Sequence, residues 1–218
     1  MGVYFYIDGF NFYYRTFKNS LRMNPFPPHY KWLDLLALSQ RLAPGQSIDW
    51  IGYFTAYVKP NPSDPDQALR QRADIEALRT LARKEIVLGK FQSVVKRGVP
   101  HDSPGGKPIS IDTFEEKGSD VNIAARLVWD AARGVFSEAY VISNDSDLTE
   151  AIRIATQEAG RVVHVLSPDI SVNAAFRRVA TSAAPLDTKL FKRCLFPETL
   201  TNAAGVPITR PTRWAPDR

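Results

Sequence analysis

The sequence predicts an α/β fold with a doubly wound, mostly parallel central sheet flanked by helices. Short apolar runs alternate along the chain with segments whose apolar residues recur at helical spacing, which is the pattern of β-α-β units. The first apolar run ends directly at an acidic residue, and a later one is followed closely by two more. The chain has 218 residues, of which 44% are hydrophobic, so it is long enough to build one large domain around a substantial core.

The N-terminal part of the chain contains two predicted strands and three predicted helices. The strands cover residues 3–7 and 49–58, and the helices cover residues 10–19, 31–42 and 66–84. The first strand is wholly apolar, as expected of a strand that is buried on both faces of a parallel sheet. The proline-rich segment at residues 24–28 separates the first two helices, because proline cannot continue a helix.

The rest of the chain continues the alternation after a predicted hairpin. The predicted elements are an extended stretch over 86–96 broken at Gly89, a loop over 97–107, a return strand over 108–114, helices over 119–133, 147–159 and 170–180, and strands over 138–143 and 161–166. After Pro185 the periodicity weakens, and the tail is predicted to be extended or packed irregularly over the body. We therefore divide the chain into a domain of residues 1–183 and a basic extension of residues 184–218.

The net charge of +5 is concentrated at the C-terminal end of the chain. From residue 177 onward the basic residues are Arg177, Arg178, Lys189, Lys192, Arg193, Arg210, Arg213 and Arg218, and the acidic residues are Asp187, Glu198 and Asp217. These eight and three give +5, so the preceding residues are neutral as a group. Such an end could attract a polyanion such as RNA, or it could be a solvated tail that aids solubility.

The sequence also sets expectations for the compartment. No stretch approaches the ~20 apolar residues that span a bilayer, so no membrane association is expected. Cys194 is the single cysteine, which excludes an internal disulfide and makes the cytoplasm the simplest location. A homodimer stays open as an alternative to a monomer.

Four aspartates are the principal candidates for a functional site. Asp8 closes the first predicted strand, Asp145 and Asp147 follow the strand over 138–143, and Asp120 begins the helix over 119–133. The carboxyl ends of parallel strands share one rim of the sheet, where ligands bind. Several carboxylates at one rim repel one another unless a divalent cation neutralises them. The sequence therefore indicates chemistry that depends on Mg²⁺ or Mn²⁺ and acts on a phosphate-containing substrate.

Each of these positions also has a purely structural interpretation. Asp8 or Asn11 could cap the first helix, and Asp147 with Glu150 forms an acceptable capping box. Asp120 follows a predicted Ser119 cap and suits the positive end of the helix dipole. The polar run of residues 144–147 nevertheless supplies more groups than one helix cap requires.

Other polar residues are candidates for binding the substrate. Asn11 and Ser146 would orient water or a phosphate oxygen, and Lys117 would bind a phosphate as a point charge. Arg15 lies in a dense aromatic segment, most of which should be core but part of which could stack on bases. Glu116 is expected to be a solvated loop acid.

Three segments together resemble the NYN domain, the LabA-like branch of the PIN-like nuclease superfamily. They are Tyr6–Asn11, Lys117–Ala124 and Val141–Leu148, and the resemblance in order and spacing covers roughly residues 3–180. One departure is Asn144, where the family often has glycine, and this side chain could narrow the rim or add an amide ligand. The resemblance implies a PIN-like, Rossmann-like three-layer fold.

The resemblance also implies cleavage of RNA that depends on Mg²⁺ or Mn²⁺. The family's site positions fall on Asp8, Asn11, Lys117, Asp120, Asp145 and Asp147, of which the four aspartates are the expected metal ligands. An RNA-binding module with weak or no catalytic activity is the alternative on the same fold. A phosphohydrolase of small esters is disfavoured, because no Asp-x-Asp nucleophile pair follows the first strand.

Overall fold

A six-stranded parallel sheet forms the centre of the protein in a computed structural model that describes residues 1–18, 26–60 and 62–216. The predicted fold class is confirmed. The strands are β1 Val3–Asp8, β2 Ile48–Thr55, β3 Lys84–Leu88, β4 Lys90–Gly98, β5 Ile109–Lys117, β6 Glu138–Ile142, β7 Val162–Ser167, β8 Ser182–Pro185, β9 Thr199–Thr201 and β10 Pro207–Thr209. The α-helices are α1 Gly9–Phe17, α2 Leu35–Leu42, α3 Gln67–Leu78, α4 Ser119–Arg133, α5 Thr149–Arg153 and α6 Phe176–Val179.

The strand order places a topological switch point at the middle of the sheet. The order is β3-β2-β1-β6-β7-β8, and every neighbouring pair is parallel. The chain winds outward from β1 to β3, returns across the sheet, and winds outward again from β6 to β8. The connections therefore diverge between β1 and β6, which is where ligands bind in open α/β sheets.

Two apolar clusters cover the two faces of the sheet. Phe5 and Ile7 of β1 point into a cluster that contains Leu38 of α2, whereas Tyr6 points into a cluster that contains Leu127 of α4. All of these side chains are fully buried. The alternation along β1 follows from the two-residue repeat of a strand, and it explains why this run contains no charged residue before Asp8.

Local sequence signals set the boundaries of several helices. The Asp34 carboxylate accepts a 2.9 Å hydrogen bond from the backbone N–H of Ala37 and caps α2. Helix α4 lies between Gly118, with φ of 100°, and Gly134, with φ of 64°. Both values fall in the left-handed region that glycine adopts without strain, so these two glycines mark the ends of α4. The predicted bounds of 119–133 are confirmed.

Two of the predicted helices in the first half are too long. The segment predicted as helix 31–42 begins with a 3₁₀ turn, Pro28–Lys31, and α2 starts only after the Asp34 cap. The helix predicted over 66–84 stops at Leu78. Arg83 then adopts a φ of 58°, which an α-helix cannot accommodate, and the chain enters β3 directly afterwards. Residue 19 of the first predicted helix and residues 24–25 of the proline-rich segment lie outside the described residues.

The elements after β6 also differ in detail from the prediction. The segment predicted as helix 147–159 consists of a 3₁₀ turn, α5 and a π-helical turn over Ile154–Glu158. Only Phe176–Val179 is helical within the predicted 170–180. The short strand β8 was not predicted, because its Ser-Ala-Ala-Pro sequence has no strand pattern, and it occupies the sheet edge where proline is tolerated.

A two-stranded hairpin projects from the end of the sheet. Strands β4 and β5 pair antiparallel from Lys90↔Lys117 to Gly98↔Ile109, which confirms the predicted return strand and the break at Gly89. The hairpin leads into α4 and so delivers Asp120 to the rim.

The C-terminal extension packs on the sheet rather than away from it. Phe191, Cys194 and Trp214 are buried in the same apolar cluster as Phe5. The indole N–H of Trp32 donates a 2.7 Å hydrogen bond to the carbonyl of Pro197, which fixes this segment against the body. The division at residue 183 stays a prediction. Among the described helices none has the length and apolar character that crossing a membrane requires.

Candidate functional site

The candidate site lies at the switch point, between the carboxyl ends of β1 and β6. Asp8 is the last residue of β1, and Asp145 follows β6 after a short polar turn. Asp120 lies in the first turn of α4, which begins at the same rim. The charges of Asp120 and Asp145 both act on the Asp8 carboxyl, so the three side chains converge from three different elements.

Asp8 is the most enclosed of these acids, with 3% of its surface exposed. One carboxylate oxygen accepts a 3.0 Å hydrogen bond from the backbone N–H of Asn11, and the other accepts a 2.9 Å bond from the Ser143 hydroxyl. Burial raises the pKa of Asp8 to about 7, and the charges of Asp120 and Asp145 add to the rise, while the two hydrogen bonds oppose it. The capping interpretation of Asp8 is correct, and the cap also aims this carboxylate at the rim.

Asp120 is partly buried, and neighbouring negative charges also act on its carboxyl group. Burial raises its pKa to about 6, with further contributions from Asp145, Glu116 and Asp147. Asp147 is exposed, and the Asp145 carboxylate accepts a 3.0 Å hydrogen bond from the Asp147 backbone N–H. The four predicted aspartates therefore belong to one electrostatic cluster.

No basic side chain among the described residues pairs with the acidic cluster. Across the described ranges, no lysine, arginine or histidine forms an ion pair with Asp8, Asp120, Asp145 or Asp147. Carboxylate oxygens are the ligands that Mg²⁺ and Mn²⁺ prefer, so the donor chemistry fits such an ion. However, no three His, Cys, Asp or Glu side chains in the described part of the chain are arranged closely enough to hold a metal.

Two predicted polar residues hold the loops of the rim together. The Asn11 side-chain oxygen accepts a 2.9 Å hydrogen bond from the backbone N–H of Asn144. The Asn144 side chain accepts from the backbone N–H of Asn173 at 2.8 Å and donates to the carbonyl of Ser171 at 3.2 Å. These bonds connect the turns after β1, β6 and β7. Asn144 thus acts as a bridge between loops, with both of its polar atoms engaged.

The remaining predicted residues are placed around the cluster. Lys117 forms an ion pair of 2.6 Å with Glu115, and Arg15 forms one of 3.3 Å with Asp169. Ser146 is exposed in a 3₁₀ turn at the rim. A phosphate bound by Lys117 or Arg15 would therefore compete with the carboxylate that already pairs with that basic side chain.

Ser143 is a site residue that the sequence analysis did not single out. It is fully buried, its hydroxyl donates to Asp8, and it accepts a 3.1 Å hydrogen bond from the backbone N–H of Asp145. A serine at the end of an otherwise apolar strand, directly before a polar run, is the signal that could have identified it.

Glu116 and Ser119 have different roles from those predicted. Glu116 is not a solvated loop acid, because its carboxylate accepts hydrogen bonds from the Ser119 backbone N–H at 3.1 Å and hydroxyl at 2.8 Å. Ser119 is not the helix cap, because Gly118 occupies that position. Because Gly118 forms a left-handed turn before α4, Glu116 rather than Ser119 accepts the hydrogen bonds at the start of this helix. The Glu116 carboxylate also adds negative charge next to Asp120.

We expect Ser143→Ala to destabilise the protein and weaken divalent-cation binding. The change leaves the buried Asp8 oxygen and the Asp145 N–H without their partner, which should cost about 1–3 kcal/mol in the free energy of unfolding. Thermal unfolding and a Mn²⁺ titration would measure both effects. Ser110→Ala, an exposed serine on β5, is the matched control. Unchanged stability and unchanged Mn²⁺ affinity in Ser143→Ala would show that Ser143 does not organise the site.

A pocket that is open to solvent adjoins the acidic cluster, and its empty space is about 500 Å³ when the open solvent at its mouth is included. Gly9, the residue after Asp8, lines this pocket, and so does Asp74 of α3. Other lining residues are Phe10, Tyr13, Tyr14, Tyr53, Thr55, Val58, Gln67, Arg70, Gln71 and Trp214. Sequence analysis did not identify this pocket, because its walls come from α1, β2, α3 and the C-terminal extension.

The Asp74 carboxyl is expected to make the free energy of unfolding depend on pH. Burial raises the pKa of the Asp74 carboxyl to about 8, whereas an unfolded aspartate titrates near ~3.9. Between these values the folded chain holds a proton that the unfolded chain has released, so the free energy of unfolding falls as the pH rises. We expect Asp74→Asn to be more stable than the wild type at pH ~8 by roughly 2 kcal/mol, or about 4–8 °C in Tm, with no difference near pH ~4.

The control for this pH dependence is Glu76→Gln, an exposed acid on the same helix that pairs with Arg79. It should unfold with the wild-type pH profile. If Asp74→Asn and the wild type kept a constant difference in Tm across the pH range, the Asp74 carboxyl would not be protonated in the folded state.

Comparison with known proteins gives a fold relationship and one distant named relative. No protein-family model matches the chain. A protein of unknown function from Vibrio parahaemolyticus, VPA0982, superposes with a TM-score of 0.52 over 89% of this chain and 95% of its own, at 16% identity. That similarity supports the three-layer α/β architecture and nothing more specific.

The named relative is 6-hydroxy-3-succinoylpyridine 3-monooxygenase HspA from Pseudomonas putida. The two sequences are 30% identical over an alignment that covers 77% of this chain and 60% of the relative. The chain thus spans about three fifths of the length of that protein. The name of this relative is that of a monooxygenase.

Proposed function

We propose that the protein is a ribonuclease that depends on Mg²⁺ or Mn²⁺ and hydrolyses RNA phosphodiester bonds at the acidic rim. The observation that supports this proposal most strongly is the convergence of Asp8, Asp120 and Asp145 at the switch point, where the charge of Asp145 raises the pKa of both Asp8 and Asp120. A cluster of carboxylates without basic partners in the described chain favours binding a divalent cation. The exposed basic residues of the C-terminal end would attract the RNA backbone.

The four aspartates would hold the cation, directly or through water. When bound, such an ion lowers the pKa of a water molecule and neutralises charge on the phosphate. The hydrogen bonds from Ser143 and the Asn11 backbone keep Asp8 oriented toward the rim. Because the raised pKa values mean that the cluster retains protons near neutral pH, cation binding would release protons and become tighter as the pH rises.

Hydrolysis would form a bond between a water oxygen and phosphorus, and it would break the ester bond to the leaving oxygen. Asn11 and Asn144 would act by fixing the rim loops. Lys117 and Arg15 would bind flanking phosphates after exchanging their carboxylate partners. Ser146 is exposed at the rim and free to contact the RNA backbone.

The experiment is to incubate the purified protein with end-labelled single-stranded and hairpin RNA in the presence of Mn²⁺ or Mg²⁺. We expect shorter products with either ion and none when EDTA is present. RNA that stays intact with both ions would contradict the nuclease proposal. If the protein binds that RNA with a steep dependence on salt but does not cut it, the RNA-binding module is the correct alternative.

A second candidate function comes from the named relative. Its reaction concerns a hydroxypyridine with a succinoyl group, and the pocket beside Asp8 has aromatic walls and one arginine, Arg70. The test is to supply 6-hydroxy-3-succinoylpyridine with dioxygen and an electron donor, and to follow its consumption by chromatography. Consumption of this compound together with intact RNA would replace the nuclease proposal with an oxygenase.

A further inference from the structure

The pocket beside Asp8 contains polar groups that the protein itself does not satisfy. Asp74, Tyr13 and Tyr53 all line it, and their charges or dipoles influence one another. None of these three side chains forms a hydrogen bond or ion pair with any described residue. Tyr53 is buried, whereas Asp74 and Tyr13 are half-buried at this pocket. Three polar groups without a described protein partner in one concave space are available to a ligand.

The neighbouring polar residues are already engaged and do not serve Asp74. Arg70, one helical turn before Asp74 on α3, pairs with Asp64. The Gln71 side chain accepts a 2.9 Å hydrogen bond from the Val58 backbone N–H and donates one of 2.9 Å to the Ala56 carbonyl. The ligand therefore meets a carboxyl acceptor at Asp74 and two phenol groups.

The walls of the pocket suit a flat ring. The Phe10 and Tyr14 rings are nearly parallel, with an interplanar angle of 8° and centroids 6.2 Å apart, and Tyr13 stands perpendicular to Tyr14. Trp214 of the C-terminal extension also lines the pocket. Aromatic walls of this kind bind nucleobases by stacking, irrespective of sequence, and a polar group at the ring edge then selects the base.

The geometry points to a pocket for one guanine base of the RNA substrate, with Asp74 accepting hydrogen bonds from the guanine N1–H and N2–H groups. This inference rests on the proposed function, since RNA is the source of the base. Guanine presents two adjacent N–H donors that match both oxygens of a carboxylate, so Asp74 releases the proton that it holds near neutral pH when guanine binds. Uracil presents a single N–H group between two carbonyl oxygens at its corresponding edge. Because Gly9 and Phe10 follow Asp8 directly, a base held here lies next to the acidic cluster, and its phosphate can reach the rim.

The test measures nucleotide binding without cleavage. Isothermal titration calorimetry in EDTA would compare GMP, AMP, CMP and UMP with the wild-type protein. We expect GMP to bind about tenfold or more tightly than UMP, which is the discrimination of one bidentate contact. Guanosine should retain the preference, and ribose 5-phosphate should not compete with it, since the base is the group that is recognised.

Substitution at Asp74 then identifies the residue responsible. Asp74→Asn should lower GMP affinity about tenfold, to the level of UMP, because the amide presents an N–H group to the guanine donors. Glu76→Gln, on the same helix, should bind GMP as the wild type does. Circular dichroism would verify that each variant is folded, and Asp74→Asn removes a buried carboxyl, so it is not expected to unfold the protein.

The outcomes separate this inference from the nuclease proposal. Equal affinities for the four nucleotides, no binding of GMP, or unchanged GMP affinity in Asp74→Asn would overturn the guanine pocket. RNA left intact by the protein, together with Asp74-dependent binding of GMP, would reject the nuclease and retain the pocket. Cleavage of RNA without any preference for guanine near the cut would retain the nuclease and reject the pocket.

Discussion

Asp120→Asn is expected to lower the rate of Mn²⁺-dependent RNA cleavage by ~100-fold or more. The substitution keeps the size of the side chain and removes one negative charge from a cluster that has no basic partner among the described residues. Charge stabilisation by a catalytic cation amounts to several kcal/mol, and about 1.4 kcal/mol corresponds to a factor of ten in rate. Single-turnover cleavage of end-labelled RNA would measure the loss.

Asp112→Asn is the matched control for this experiment. Asp112 is an exposed acid on β5, in the same hairpin that leads to α4, and it lies outside the cluster. It should cut RNA at the wild-type rate. Asp120→Asn should also be at least as stable as the wild type, because it relieves repulsion from Asp145 and Glu116. Cleavage by Asp120→Asn at the wild-type rate would remove Asp120 from the catalytic site.

Phe191→Ala is expected to cost about 3–5 kcal/mol of stability, the largest single-residue effect on folding that we predict. Phe191 belongs to the C-terminal extension and is fully buried. Its ring centroid lies 6.1 Å from that of Phe12 and 5.7 Å from that of Phe26. Truncation to alanine would open a cavity among these rings, and urea denaturation would measure the loss.

The control for Phe191→Ala is Lys192→Ala, an exposed neighbour in the same 3₁₀ segment. It should change the free energy of unfolding by no more than ~0.5 kcal/mol. A Phe191→Ala protein as stable as the wild type would mean that the extension can detach without cost. The body would then fold independently, as the predicted boundary at residue 183 implies.

The sheet and the acidic rim could be predicted because both depend on short-range patterns. β1 is a continuous apolar run, and α4 lies between two glycines, so their sequences determine their conformation locally. The convergence of Asp8 and Asp145 then follows from parallel topology, since Asp8 ends β1 and Asp145 lies in the turn after β6. The strand order places a topological switch point beside Asp8, at the rim where the sequence analysis expects a ligand.

Features that depend on tertiary contacts could not be predicted. Between α3 and β3, Arg83 adopts a left-handed conformation, which residues other than glycine rarely adopt. Strand β8 pairs with β7 through backbone hydrogen bonds that its small side chains do not signal. Asp74 is separated from Asp8 by 66 positions, and the pocket that contains it is lined by residues of α1, β2, α3 and the C-terminal extension.

The sequence indicates a metal centre at the rim. The arrangement of the side chains does not show one, so the metal centre stays a prediction. The most direct test is a crystal soaked in Mn²⁺ and measured for anomalous scattering at the manganese edge. We predict an anomalous peak between Asp8, Asp120 and Asp145, with carboxylate oxygens about 2.0–2.2 Å from the ion. A map without a peak at this rim, from crystals that bind Mn²⁺ elsewhere or not at all, would contradict the account.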